Sequence, residues 1–407
     1  MQNPFKGLIS SRILFHRFVS LSFIIQCLYQ FPGIAQRNAV PVFTSGQEGH
    51  RSYRIPAILS LPDGQLLAFC EGRVQGSGDY GDINIVMKRS MDQGKTWSTL
   101  QTVVDYDTLQ AGNPAPVTDL MDPEYPAGRL FLFYNTGNNH ENEVRKGNGL
   151  REVWYKTSTD GGQSWSQPVN ITTQVHQPLK TEVNPAYRFK EDWRSYANTP
   201  GHALQIGSGK YKGRIYIAAN HSQGDPRPHF EDYFAHGFYT DDHGKSFKLS
   251  ESIPLPGSNE ATAAEISGNG LLMNIRNQKG DIKARIVVRS QDGGNAWDTV
   301  YFDHNLPDPV SEGSILNIRK KGKKHWLAFS NAADTLHRNR LTLRISRDEG
   351  KSWYKNILID AASGDQARDY TAYSDLVKLD RKTVGVLYER LGYSQIVFRV
   401  VNWKKNE

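Results

Sequence analysis

Short apolar or alternating runs, separated by turn residues, recur along the whole chain. Ile83-Asn84-Ile85-Val86-Met87, Leu130-Phe131-Leu132-Phe133-Tyr134, Ile215-Tyr216-Ile217-Ala218 and Ile286-Val287-Val288 are four of them. Residues 66–70, 341–345 and 384–388 give three more. Runs of this length, rich in β-branched and aromatic side chains and bounded by Gly, Asp, Asn and Ser, predict strands. No stretch carries the spacing of a long amphipathic helix, so the chain is predicted to be all-β.

A second pattern lies over the first. Ser90-Met91-Asp92-Gln93-Gly94-Lys95-Thr96-Trp97 returns as 158–165, 240–247, 290–297 and 346–353. The common frame is Ser-x-Asp-x-Gly-x-Ser/Thr-aromatic, with Thr240 opening the third copy. Asp and Ser/Thr side chains bond nearby backbone N–H groups in turns, Gly supplies a positive φ, and an aromatic ring anchors the turn to a core. Each copy therefore reads as a hairpin turn inside a repeated sheet. Such self-similarity predicts a β-propeller. The motif aspartates fall about 68, 82, 50 and 56 residues apart, and roughly 62 residues per blade suggests six blades. A strand near residues 40–43 is expected to close the ring by joining the C-terminal strands, which hides the sheet edges.

The first 35 residues have a different character. Lys6, Arg12, His16 and Arg17 precede an apolar run over residues 18–31, and Gly33-Ile34-Ala35 offers small residues for cleavage. That pattern predicts a signal peptide over 1–35 and a catalytic domain over 36–407. The run is short for a membrane span, so no stable membrane insertion is expected after cleavage, with an uncleaved anchor as the alternative. Cys70 is then the one cysteine left of two. An exported chain without an intrachain disulfide suits a periplasm or growth medium. The net charge of +7 is spread out. The run Lys320-Lys321-Gly322-Lys323-Lys324 reads as a solvated hairpin tip, so no nucleic-acid partner is expected.

Tyr53-Arg54-Ile55-Pro56-Ala57 opens the first repeat. Together with five Asp-box turns, it makes the whole mature chain resemble the exo-α-sialidases (neuraminidases) of the bacterial and animal type. The resemblance implies a six-bladed propeller acting on sialylated glycans of glycoproteins, glycolipids or oligosaccharides, with neither cofactor nor metal. It implies three arginines for the sugar's carboxylate: Arg54, Arg276 in Met273-Asn274-Ile275-Arg276-Asn277, and Arg338, with Arg340 as a near rival. Planar guanidinium groups suit a carboxylate bidentately. Arg73 corresponds to an accessory pocket arginine. Asp79, on the loop after it, corresponds to the acid/base, with Asp82 as competitor. A carboxyl closed over by substrate would be desolvated and its pKa raised. Tyr373, in Thr371-Ala372-Tyr373-Ser374-Asp375, matches the nucleophile. Sialidases with a Tyr nucleophile are a known exception among glycosidases. Glu260 matches its base, with Glu265 as rival, and Glu389 a carboxylate that orients the first arginine.

The expected reaction is release of terminal sialic acid with retention through a tyrosyl-enzyme intermediate. A trans- or anhydro-sialidase would share the same residues, and a non-catalytic glycan-binding propeller would share the turns alone. Other motifs are missing. His140-Glu141-Asn142-Glu143 lacks a second histidine and reads as a loop. The histidines lack metal-ligand spacing in the sequence. Asn113 and residues 138–149 are expected to line the pocket on the glycerol or N-acetyl side.

Overall fold

The computed structural model describes residues 39–322 and 324–405, and the expected signal peptide lies outside them. β1 (Val40–Thr44) is followed by β2 (Ser52–Ser60), β3 (Leu66–Arg73), β4 (Ile83–Ser90) and β5 (Gln101–Val104). Next come β6 (Gln110–Asp119), β7 (Arg129–Gly137), β8 (Arg151–Ser158) and β9 (Val169–Asn170). β10 (Trp193–Asn198), β11 (Leu204–Gln205), β12 (Ile215–Gln223), β13 (Tyr233–Thr240) and β14 (Lys248–Leu249) follow. Then run β15 (Ser258–Ile266), β16 (Gly270–Asn277), β17 (Ala284–Ser290) and β18 (Thr299–Pro307). After these are β19 (Gly313–Lys321), β20 (Lys324–Ala332), β21 (Leu341–Ser346) and β22 (Lys355–Asp360). β23 (Thr371–Lys378), β24 (Thr383–Arg390) and β25 (Gln395–Asn402) end the chain. All seven apolar runs of the sequence fall inside strands, and Lys321 ends β19 where Lys324 opens its hairpin partner β20. No helix among the described residues is long and apolar enough to cross a membrane.

The all-β expectation holds, but the count of six blades is corrected. Among the described residues, hydrogen bonding gathers the strands into five sheets. Four are of blade size: β15–β18, β19–β22, β10–β14, and β1 with β23–β25. The fifth has eight strands, β2 to β9, because β4 and β6 pair in parallel at Ile83 and Gln110. That pairing joins two antiparallel meanders into one sheet. The arrangement is therefore a propeller of four separate blades completed by one continuous sheet. Closure occurs as expected: β1 pairs antiparallel with β25, Val40 opposite Phe398 and Thr44 opposite Gln395. The N-terminal edge thus becomes an outer strand of the C-terminal blade.

The five octapeptides are the turns that hold neighbouring sheets. In the first, Ser90 Oγ accepts from Gly94 N at 2.8 Å, and Asp92 accepts from Thr96 N at 2.9 Å and from its hydroxyl at 2.7 Å. These bonds hold the Asp92 carboxyl down to about 2, backbone donation from Thr96 being the largest cause. Gly94 has φ +87, and a Cβ there would lie 2.1 Å from the Phe398 ring, so both conformation and space demand glycine. Trp97 meets Phe398 edge-on at 5.5 Å. Trp165 meets Phe69, Phe247 meets Phe133, and Trp297 meets Tyr216 in the same way. Each ring binds its turn to a strand of another meander.

At the centre, inner strands of the meanders pack on one another. β2 packs on β23 and β6, β12 on β15, and β19 on both β15 and β23. The buried Asp375 carboxylate ties this hub together. It accepts from Ile58 N at 2.8 Å, His202 N at 3.0 Å and Ser314 Oγ at 2.7 Å. The pairing register slips between Arg54 and Ala57 in β2, between Ser258 and Ala261 in β15, and between Thr371 and Ser374 in β23. A bulge re-aims the side chain within it. These three bulges carry Arg54, Glu260 and Tyr373.

Candidate active site

The re-aimed side chains meet in a cleft of about 380 Å³. On its floor the Tyr373 hydroxyl lies 2.7 and 2.8 Å from the two oxygens of Glu260. Arg276 Nη1 donates to that hydroxyl at 2.8 Å and to Glu260 Oε2 at 2.6 Å. Burial raises the Tyr373 phenol well above its ordinary value, against the lowering pull of Arg276, Arg338 and Arg54. The phenol is therefore neutral at rest, with a carboxylate placed to take its proton.

The three arginines surround this hydroxyl from three sheets. Arg54 and Arg338 each place their guanidinium carbon 5.5 Å from the Tyr373 ring centre. Arg54 Nε donates to Glu389 Oε1 at 2.6 Å. Ile55, at φ +62, donates its N–H to the same oxygen at 2.9 Å, and Tyr373 N donates to Glu389 Oε2 at 3.2 Å. Arg54 and Arg276 are buried, and burial opposes their charge, but Glu389 beside Arg54, and Tyr373 with Glu260 beside Arg276, more than restore it. The cluster is a preformed anion site with its guanidinium groups already oriented.

Across the cleft, Arg73 is fixed by the buried Glu71, with Nη2 to Oε2 at 2.6 Å. Its Nη1 reaches Asp79 Oδ1 at 2.7 Å. The Asp79 side chain is 70% exposed on its loop. The rise expected on covering by substrate starts from a lowered value. Burial pushes the carboxyl up, but Arg73 and then Arg54 outweigh it, and Asp79 lies below its usual value. The ion pair with Arg73 sets that starting point.

The rivals lie elsewhere. Arg340 is exposed while Arg338 lines the cleft. Glu265 accepts from Gly207 N at 2.9 Å outside the cleft. Asp82 faces a separate small depression beside Ile83. Asn113 and the segment after residue 138 do reach the cleft. His140 to Glu143 is corrected from loop to the start of a one-turn helix, α1 (Glu141–Arg145), with His140 as its N-cap. The sequence reading missed Glu71, Gln110, Arg151, Tyr233 and Tyr393. Tyr233 donates to Glu141 Oε1 at 2.5 Å on the cleft wall, and the Tyr393 hydroxyl accepts from Arg338 Nη1 at 3.1 Å. Gln110, Arg151 and Tyr233 open their strands and Tyr393 lies in the turn between β24 and β25, positions that only the strand register reveals.

Among the described residues one histidine joins two acids in a group of three. Asp119, Asp122 and His243 bring ligand atoms within 4.8 Å of one another. His243 Nδ1 is 2.7 Å from Asp119, and Arg129 pairs with Asp122 at 2.9 Å, so the group is an internally satisfied ion network away from the cleft.

Residues 50–387 match the BNR repeat-like domain. The chain is 30% identical over 364 residues to a sialidase of Micromonospora viridifaciens, covering 85% of this chain and 51% of that protein. It is 26% identical over 398 residues to a sialidase of Bacteroides fragilis, covering 91% and 66%. It thus spans about half and about two thirds of these two relatives. Among solved structures, the Hadza microbial sialidase Hz136 superposes with a TM-score of 0.74 at 24% identity, over 90% of this chain and 68% of that one, a likeness of fold. Matched over most of its length, the chain belongs to the BNR repeat-like domain family, the sialidase family with Asp-box repeats to which its motifs pointed.

Proposed function

We propose that this protein is an exo-α-sialidase that hydrolyses terminal sialic acids with retention through a tyrosyl-enzyme intermediate. The observation that carries the reading is the Tyr373 hydroxyl, held within 2.8 Å of both Glu260 oxygens and of Arg276. The relatives named as sialidases support the coarser activity. In this reading the sugar's carboxylate lies on Arg54, Arg276 and Arg338. Tyr373 attacks the anomeric carbon while its proton passes to Glu260. A phenol suits this task because an anionic nucleophile would be repelled by the substrate's own carboxylate. Asp79 gives a proton to the departing oxygen, then takes one from the water that releases the sugar. The bound carboxylate cancels part of the field of Arg54 and Arg338 that depresses Asp79, so substrate itself moves this carboxyl toward the acid form. The leader pattern supports export to a periplasm or medium.

The test is NMR of the first product released from sialyllactose, with trapping by a fluorinated sialosyl fluoride. An α-anomer formed first and a fluorosugar adduct on Tyr373 are expected. A β-anomer would overturn the double displacement, and a 2,7-anhydro sugar would redirect the reading to internal transfer.

A further inference from the structure

Lysines and arginines that are dispersed along the sequence are gathered by the fold at the end of the propeller away from the cleft. Glu312 Oε2 accepts from Ser374 N at 2.9 Å and Ser314 Oγ donates to Asp375 Oδ1 at 2.7 Å, so β19 and β23 run side by side in the same direction. Both lead away from Tyr373, and they end on Lys321 and Lys378. Lys321 pairs with Lys324 across its hairpin, Ser346 of the fifth Asp-box pairs with Leu327, and Asn402 pairs with Thr383. Four segments thus share this end: residues 319–326, 346–355, 378–382 and 402–405. Their described residues include twelve lysines and arginines against three acids. The whole chain carries only +7, so the remainder is net negative.

Rings and backbone bonds lock the four segments into one surface. Trp326 and Trp403 meet edge-on at 6.0 Å. The guanidinium carbons of Arg319 and Arg347 each lie 4.9 Å from the Trp326 ring centre, and that of Arg347 lies 3.8 Å from the centre of Tyr354. Lys355 Nζ donates to Lys405 O at 2.9 Å, and Trp403 N donates to Lys382 O at 3.0 Å. Cations held together in this way repel one another, and an anionic partner relieves that repulsion.

The form of the surface selects among polyanions. Trp326 is 8% exposed and Trp403 0%, so neither indole can stack on a nucleic-acid base. Tyr354 is the one large apolar side chain exposed among the described residues of these segments, and Arg347 lies over its ring. That is too little apolar surface to anchor in a bilayer. Beside the hairpin lies a depression of about 530 Å³ lined by Lys320, Ser208, Ser267, Asn269 and His325. Lys320 Nζ donates to Ser208 Oγ at 2.8 Å, while Glu265 in the same depression is occupied by Gly207 N and the Ser208 hydroxyl. A concave wall of hydroxyl, amide and imidazole groups suits the hydroxyls of a sugar, whereas a bilayer offers a flat surface. Basic clusters of this kind fit sulfated polysaccharides of the heparin class.

We propose that this face is a docking surface for a linear sulfated polysaccharide. The sulfates pair with the lysines and arginines and release their counterions, and sugar hydroxyls enter the depression. The consequence for activity rests on the sialidase reading: a docked molecule keeps its cleft turned away from the polymer it sits on, toward sialylated chains held in the same matrix.

The experiment measures binding of the protein to immobilised heparin by interferometry, with double-stranded DNA and phosphatidylglycerol vesicles as the other surfaces. Wild type should bind heparin and weaken about tenfold or more between about 50 and 200 mM salt. Lys320→Glu/Lys321→Glu/Lys324→Glu and, separately, Lys378→Glu/Arg381→Glu should each weaken binding by about tenfold or more, while Lys95→Glu in the first Asp-box turn stays within about twofold. Both multiple variants should keep wild-type rates on a 4-methylumbelliferyl sialoside, since neither touches the cleft, and should lose rate on a sialylated glycoprotein immobilised together with heparin. No binding of wild type to heparin at low salt, or equal binding by wild type and both variants, overturns the proposal. Tighter binding to DNA or to vesicles than to heparin overturns it too, and assigns the face to that partner. Release of no sugar by wild type from either substrate overturns the sialidase reading, while the heparin measurements still decide the docking surface.

Discussion

Glu389 binds two parts of the site at once: one oxygen takes Arg54 Nε at 2.6 Å and the other takes Tyr373 N at 3.2 Å. The carboxylate is fully buried. It therefore sets the anion clamp and the strand carrying the hydroxyl in one frame. Replacing it with Gln keeps the shape but strands a buried guanidinium. Breaking such a pair from one side costs about 3–5 kcal/mol. Glu389→Gln should lower the unfolding free energy by an amount in that range and raise KM. A denaturant titration beside a kinetic assay checks both. Unchanged stability would show Arg54 to be held by other means.

Tyr373→Phe removes one hydroxyl and leaves the ring that packs with Ile55 and Ala372. The fold should persist and turnover should fall on the order of 10³-fold or more, as for other covalent nucleophiles. Circular dichroism and steady-state rates measure the two. A folded variant with wild-type rates removes Tyr373 from the chemistry.

The strands, the ring closure and the five turns were legible in the sequence because each is a local pattern. Alternation marks a strand, and Ser90, Asp92, Gly94 and Trp97 each perform a bond or contact within one octapeptide or onto one ring. The sheet count was not legible. It turns on a single parallel pairing between Ile83 and Gln110, 27 residues apart in number, which no periodicity announces. The motif arginines and Tyr373 could be named by resemblance, but their convergence depends on three bulges, and a one-residue slip is invisible in the hydropathy of β2, β15 or β23. The lowered starting value of the Asp79 carboxyl was hidden for a related reason. Arg73 is six residues away, and only the loop's path decides whether burial or the ion pair dominates.

Three buried histidines give stability a pH dependence. Trp193 stacks on His221 at 3.5 Å, and His221 Nδ1 lies 3.1 Å from His236 Nδ1. Burial, then mutual repulsion, lowers His176 and His221 well below their usual value, and burial brings His236 to about 3. In the unfolded chain each titrates near 6.5. Below that pH the unfolded state binds protons that the folded state does not, so stability falls as pH drops from about 6.5 toward 3. His202 acts with the opposite sign, since Asp375 overcomes burial and raises it. Its contribution is present below 6.5 and fades as pH rises through its folded value. Unfolding titrations at pH 7.5 and 5.0 should show a net loss on acidification, smaller in His236→Gln. A flat wild-type profile would contradict the neutral cluster.

Asp79→Ala separates proton donation from binding. Natural glycosides leave as poor alkoxides and need the proton, whereas aryl glycosides leave as stable phenolates. kcat on sialyllactose should fall about 10²-fold or more while the aryl substrate loses far less. Equal losses would turn attention to Asp82. Because Asp79 pairs with Arg73 at 2.7 Å, Arg73→Ala should release the carboxyl from its lowered state and shift the pH dependence of kcat/KM upward.

The choice between Arg338 and Arg340 rests on where the chain turns before β21. Arg338 N-terminal to Asn339 faces inward, its guanidinium 5.5 Å from the Tyr373 ring centre and its Nη1 3.1 Å from Tyr393 Oη. Arg340 has φ +59 and is exposed, which carries its side chain to the opposite side of the backbone. A planar unsaturated analogue of the sugar places its carboxylate in the clamp without reacting. Each charge-assisted pair it makes there should be worth about 1.5–3 kcal/mol, or roughly 10- to 150-fold in Kd. Arg338→Ala should weaken the analogue by that factor, and Arg340→Ala should leave it within about twofold. Tyr393→Phe should fall between them, since it removes the hydroxyl that steadies Arg338 but keeps the ring under Arg54, 4.0 Å from its guanidinium. Normal binding in Arg338→Ala with a loss in Arg340→Ala would reverse the assignment. Normal binding in both would move the anion site away from this side of the cleft, and Arg54 and Arg276 would then have to hold the carboxylate as a pair.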